Sequence, residues 1–156
     1  MRIIDVSAGN RAVWFNKAHP MATYIDIRPE VLPDLVLDSR NMPELADNTF
    51  DLGVFDPPHV KFGQNAEMSK TYGWHTTEEI RNIIRQTSSE LSRILKPDGL
   101  LSLKWNDHDQ KLDKILALML DFEPLFGHKT AMRTAYASAT TWVLMRNLKD
   151  WKDINV

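Results

Sequence analysis

The stretch Phe50-Asp51-Leu52-Gly53-Val54-Phe55-Asp56-Pro57-Pro58-His59 places the tightest limit on the fold. It begins as a largely apolar run of strand length and ends in two consecutive prolines. Neither proline has an N–H to donate to a sheet ladder, and each fixes φ near about −65°, so the strand has to stop there. Each also drives the residue before it toward extended backbone. Asp56 is therefore expected at the C-terminal edge of a buried strand, on the rim where open α/β sheets bind their ligands.

The rest of the chain repeats this pattern. Arg2 to Val6 reads as a strand closed by the small turn residues Ser7-Ala8-Gly9-Asn10, and Thr23 to Ile27 and Leu35 to Asp38 read as two more. Ala12 to Ala18 is expected to form a brief helix stopped by His19-Pro20. Pro29 and Pro33 leave no room for a full crossover helix between the second and third strands, and at most one turn is expected around Pro43 to Ala46. Thr76 with Glu79 forms a capping box, and Ile80, Ile83, Ile84, Leu91, Ile94 and Leu95 keep helical spacing up to a stop and turn at Lys96-Pro97-Asp98-Gly99. Leu100 to Trp105 is a fifth strand; Asp107 and Gln110 are placed to cap a second helix carrying Leu112, Ile115, Leu116, Met119 and Leu120. Phe122 to Gly127 and Thr140 to Met145 close the chain as strands, and 146–156 reads as a tail. Strands alternating with helices or short crossovers, then a closing pair of strands, give a doubly wound, mostly parallel α/β sheet in a single domain of 156 residues.

Four carboxylates, Asp5, Asp26, Asp38 and Asp56, close or nearly close the first four of these strands. In such a sheet the strand ends share one rim, so the four would line one cleft. The turn after Asp5 allows close backbone approach. It has a single glycine, however, and lacks both the G-x-G-x-x-G of dinucleotide sites and the Gly-Lys-Ser/Thr of a phosphate loop. A nucleoside-like ligand without a cradled pyrophosphate fits better. Asp26 sits where a carboxylate can accept ribose hydroxyls, and Asp38 where one can accept from an adenine amino group.

Asp5-Val-Ser-Ala-Gly9, Asp26, Asp38 and Asp56-Pro-Pro-His59, in this order and spacing, resemble class I S-adenosylmethionine-dependent methyltransferases. The tetrapeptide Asp56-Pro-Pro-His59 resembles the Asp-Pro-Pro-aromatic motif of the amino-methyltransferases acting on adenine or cytosine, and its continuation Val60-Lys-Phe-Gly63 followed by Lys70-Thr-Tyr-Gly73 is similar to small phage- and prophage-type adenine methylases. The resemblance implies a Rossmann-like seven-stranded sheet with an antiparallel final strand and S-adenosylmethionine as cofactor. It assigns the cofactor to Asp5, Ser7, Ala8, Gly9, Asp26, Ile27, Asp38, Ser39 and Asp56. It assigns the acceptor, adenine N6 in DNA ahead of RNA, a small molecule or a protein amide, to Asp56, Pro57, Pro58 and His59. Lys61, Phe62, Lys70, Tyr72, Lys129 and Arg133 are expected to contact the substrate.

The chemistry accounts for these residue types. A base amino group is a poor nucleophile because its lone pair is delocalised into the ring. Asp56 and the Pro57 carbonyl can each accept one amino N–H, which aims the lone pair and stabilises the charge that develops on nitrogen. In the family this chain resembles, the fourth position of the tetrapeptide stacks on the base; His59 stands where that family has Tyr, Phe or Trp, and stacking on the base, accepting a proton and turning into the structure are its three readings. Other chemistries fit worse. His59, His75, His108 and Asp107 match no metal-ligand spacing, and Ser7 with His59 lacks a G-x-S-x-G elbow. A net charge of −2 gives no global field for nucleic acid, so binding would rely on the local loop cations. The remaining expectations are a cytoplasmic protein with no membrane segment and a homo-oligomer formed through a sheet face left bare by the short crossovers. A cofactor-binding module without catalysis is the reading from a different class.

Overall fold

The strands, in chain order, are β1 (Ile3–Asp5), β2 (Ala22–Asp26), β3 (Leu35–Val36), β4 (Phe50–Phe55), β5 (Leu95–Asn106), β6 (Phe122–Lys129) and β7 (Thr140–Asn147). The helices are α1 (Thr77–Ile94) and α2 (Leu112–Leu116). The computed structural model describes residues 1–59, 75–130 and 138–149. The strands form one sheet in the order β3-β2-β1-β4-β5-β7-β6. Pairing is parallel from β3 across to β5, and β7 runs antiparallel between β5 and β6. This is the expected Rossmann-like α/β sheet. The chain winds outward from β1 to β3 and then returns to β4 on the other side of β1. The topological switch point therefore lies between β1 and β4, beside Asp5 and Asp56.

The sheet's core face is read directly from alternation. Leu101, Leu103 and Trp105 of β5, with Val143 and Met145 of β7, bury fully or nearly so against Ile80, Ile84, Leu91 and Ile94 of α1 and Ile115 after it. Gly53 permits close packing of α1 on the sheet: a Cβ there would stand 3.2 Å from both Leu91 Cδ2 and Leu101 Cδ1. The capping box is formed as expected, with Glu79 N donating to Thr76 Oγ1 at 3.2 Å and Thr76 N to Glu79 Oε2 at 2.6 Å. The other face of the sheet carries Leu52, Leu100, Ser102, Lys104, Trp142 and Leu144, all half-buried.

Three expectations are corrected. Residues 12–18 form turns rather than a helix. Trp14 Nε1 is drawn to Asp5 Oδ2 at 2.8 Å, the Arg11 guanidinium lies 3.9 Å over the Tyr24 ring, and Arg11 itself takes φ +55°. These tertiary contacts outweigh a weak local preference. The second helix shrinks to Leu112–Leu116: Asp107 Oδ1 does accept Leu112 N, but Gln110 is buried instead of capping, its carbonyl accepting Trp105 Nε1 at 2.9 Å. The tail does not begin at 146, because Asn147 ends β7 fully buried. Its Nδ2 donates to the carbonyls of Ser92, Lys96 and Leu95 at 2.9, 3.2 and 3.4 Å, closing the last turn of α1 from a position 51 to 55 residues further along the chain. The turn at Lys96–Gly99 is present, looped out of the ladder between the pairs Phe50–Leu95 and Leu52–Leu100. Among the described residues, no helix is long and apolar enough to cross a membrane.

Candidate active site

A cleft of about 1130 Å³ opens over the C-terminal rim at the switch point. Asp5, Ser7, Ala8, Gly9, Asp26, Ile27, Asp38, Ser39 and Asp56 all line it, as do Pro57, Pro58 and His59. The sequence-assigned cofactor and acceptor-orienting residues are thus brought to one cavity. Of the expected substrate contacts, Lys61, Phe62, Lys70, Tyr72 and Arg133 lie outside the described residues. Lys129 is exposed at the end of edge strand β6, separated from β5 by β7, and does not line the cleft.

The turn after β1 is built by hydrogen bonds to its acids. Asp5 Oδ1 accepts Ser7 N at 3.1 Å while Oδ2 accepts Trp14 Nε1, so its carboxylate serves the loop that roofs it. Burial pushes the Asp5 carboxyl up to about 6; the Trp14 and Ser7 N–H groups pull against this, and the neighbouring Asp56 and Asp26 charges add to it. Gly9 takes φ +48°, a conformation that strains any L side chain, and its N–H donates to Asp26 Oδ2 at 2.8 Å. The first turn and the second strand end are thereby locked together.

Two arginines that sequence reasoning passed over complete the acids. Asp26 Oδ1 accepts Arg28 N and Nε, both at 3.0 Å, and Oδ2 accepts the Arg28 guanidinium at 3.2 Å. Burial would raise the Asp26 carboxyl, but these bonds and the one from Gly9 outweigh it and hold it below the usual value. Asp38 is gripped the same way by Arg40 N and the Arg40 guanidinium, which hold its carboxyl low against the opposing effect of burial. Both pairs are Asp-x-Arg, Asp26-Ile-Arg28 and Asp38-Ser-Arg40, a signal present in the chain. A carboxylate offers about four lone-pair sites, and the Asp26 sites are all taken.

Asp56 has a different setting. Its backbone N–H donates to Ser7 Oγ at 2.7 Å, tying β4 to the first turn across the switch point. The register pairs Phe55 with Leu103, so Asp56 and Lys104, each one residue further on, come side by side. Lys104 Nζ donates to Asp56 Oδ2 at 2.6 Å and also lies 6.0 Å from the Trp142 ring centroid. Lys104 lines the cleft and was not anticipated. His59 folds back so that Nδ1 lies 3.3 Å from the Pro57 carbonyl oxygen, with its ring edge-to-face on Trp105 at 6.1 Å and 70°. Trp105 itself is fully buried. Among the described residues no group of His, Asp or Glu side chains could hold a metal ion.

No protein-family model matches the chain, and no curated protein matches it in sequence. Solved structures share its fold. The PH0226 protein from Pyrococcus horikoshii OT3 superposes with a TM-score of 0.68 at 14% identity, covering 94% of this chain and 81% of that one. The N-methyltransferase NodS from Bradyrhizobium japonicum WM9, in complex with S-adenosyl-L-homocysteine, gives 0.63 at 13% identity over 94% and 77%. The [4+2]-cyclase SpnF gives 0.65 at 15% identity over 94% and 74%. An N-methyltransferase and a cyclase thus stand on the same fold.

Proposed function

We propose that the chain binds S-adenosylmethionine and methylates a base amino group, adenine N6 in DNA being the acceptor we favour. The fold alone does not decide this, since one fold hosts several chemistries. The observation that carries the reading is the Asp56-Pro57-Pro58 corner: it stands at the switch point, in the same cleft as the Gly9–Asp26 lock, and Asp56 is fixed by Ser7 and Lys104.

The cleft fits such a cofactor. Its volume exceeds the roughly 300–1,000 Å³ of a drug-sized site, leaving room for a nucleoside cofactor and part of an acceptor. Asp26 and Asp38 supply carboxylates for ribose and adenine donors, and Gly9 lets the backbone approach closely. Asp26 becomes available to hydroxyls when the Arg28 guanidinium withdraws. S-adenosylmethionine, when bound, supplies an electrophilic methyl group on a sulfonium. The chain's own work is positioning. Among the described residues Asp56 Oδ1 carries no hydrogen bond, and with the Pro57 carbonyl it accepts the two amino N–H groups, holding the nitrogen lone pair toward the cofactor side. The negative carboxylate stabilises the charge that nitrogen acquires.

Calorimetry with S-adenosylhomocysteine tests the pocket, and absence of binding at about 0.5 mM ligand would refute the reading. Labelled-methyl transfer onto DNA, RNA and protein pools then identifies the acceptor, and binding without transfer to any pool would favour a regulatory module. Asp56→Ala should lower transfer by at least about 100-fold, as loss of one preorganised transition-state contact does, while S-adenosylhomocysteine still binds.

A further inference from the structure

The geometry points to Lys104 as an acceptor-reading residue: with Asp56 it forms a donor–acceptor pair that takes the amino–imine edge of a neutral heterocycle. This inference rests on the amine-methylation reading and names the edge that the site recognises. Lys104 reaches Asp56 from the neighbouring strand, and both side chains are about one-quarter exposed, at 28% and 25%, on the cleft. The ammonium has three N–H groups, and one is spent on Asp56 Oδ2. Asp56 Oδ1 is an acceptor. Among the described residues the remaining ammonium N–H groups and Oδ1 make no hydrogen bond, so a donor and an acceptor stand on one pair only a hydrogen-bond length across.

Few amine classes match that pattern. Adenine presents its amino donor beside the N1 acceptor, and cytosine its amino donor beside the N3 acceptor. A guanidinium offers donors only and an alkylammonium carries a positive charge, so the Lys104 ammonium would leave unpaired or repel both. The ion pair also brings the local charge of Asp56 and Lys104 to zero, which suits binding of an uncharged ring, while Oδ1 stays directed at the nitrogen that acquires charge. His59, turned onto Pro57 and Trp105, does not compete for Lys104.

The test compares two degenerate single-stranded oligodeoxynucleotide libraries, one with deoxyadenosine and one with 1-deaza-deoxyadenosine, which keeps the amino group and lacks N1. Labelled transfer is measured with the unaltered protein, Lys104→Met and Lys104→Arg. The unaltered protein should prefer the adenine library by roughly 10- to 100-fold in kcat/KM, the size of one hydrogen bond from a charged donor. Lys104→Met should lose most of its activity on adenine and show no preference, and Lys104→Arg should recover part of the preference. A preference undiminished in Lys104→Met, or no preference in an otherwise active protein, would overturn the inference and leave amine methylation standing. Loss of S-adenosylhomocysteine binding in Lys104→Met would also overturn it, by making the lysine structural. Failure of the unaltered protein to methylate any acceptor refutes instead the reading on which it rests.

Discussion

Asp5 makes stability depend on pH in a direction opposite to most carboxylates. It is 1% exposed beneath the 7–21 segment, and its carboxyl is raised from 3.8 to about 6. At 1.36 kcal/mol for each pH unit of displacement, the native state disfavours its ionisation by about 3 kcal/mol. Because the native value lies above the unfolded one, the contribution is fully present below about pH 3.8 and is lost as pH rises through about 6. Asp26, Asp38 and Glu90 are displaced downward and lose their contributions as pH falls through and below the ordinary carboxylate range, so among these four carboxylates only Asp5 loses its contribution as pH rises from about 4 to 7. Asp5→Asn removes the titration and keeps the shape. It forfeits one acceptor for Ser7 N or Trp14 Nε1, a cost of about 1–3 kcal/mol that does not vary with pH. Urea unfolding near pH 4 and near pH 8 should therefore show the difference between the two proteins change by about 3 kcal/mol, with the variant gaining relative stability at high pH. Two parallel stability curves would refute the argument.

Two further outcomes follow from the same contacts. Arg28 occupies acceptor sites of Asp26 that a ribose would need, so Arg28→Ala should tighten S-adenosylhomocysteine binding by up to about 5-fold, the worth of one partly exposed ion pair; weaker binding in calorimetry would mean that Arg28 itself holds the ligand. Asn147→Ala should cost about 3 kcal/mol in chemical denaturation, because it strips a buried amide from three helix-end carbonyls and from Ser92 Oγ, and a loss under about 1 kcal/mol would show that water replaces it.

The sheet was legible wherever the signal was local. Pro57-Pro58 ends β4 because a missing N–H is a property of the residue itself. The Thr76–Glu79 box starts α1 because cap and partner lie within one turn. Elements that failed were decided over distance. Residues 12–18 lost their helix to Asp5 and Tyr24, and Asn147 left the expected tail for the end of α1. Such partners become neighbours only after the sheet has formed, so no window of sequence contains them.

The cleft divides along the same line. Strand-end aspartates could be placed on one rim from strand order alone, since every parallel strand delivers its C-terminus to the same side. What each carboxylate faces was a different question. The answer for Asp26 and Asp38 lay two residues away, in the Asp-x-Arg repeat, where turn geometry folds the guanidinium back onto its own strand end. For Asp56 it lay 48 residues away, on the next strand. Leu101, Leu103 and Trp105 announce the buried face of β5, and alternation then sends Lys104 to the opposite face. That places the lysine away from the core without saying whether water or a ligand site receives it. The register of β5 against β4 adds the missing partner, by setting Lys104 beside Asp56, a rim carboxylate that no arginine holds. Asp26 and Asp38 are closed by local arginines. Asp56 is held from outside its own turn by Lys104 and keeps Oδ1 clear among the described residues. On the proposed function, that contrast assigns Asp26 and Asp38 to binding and Asp56 to orienting the amine.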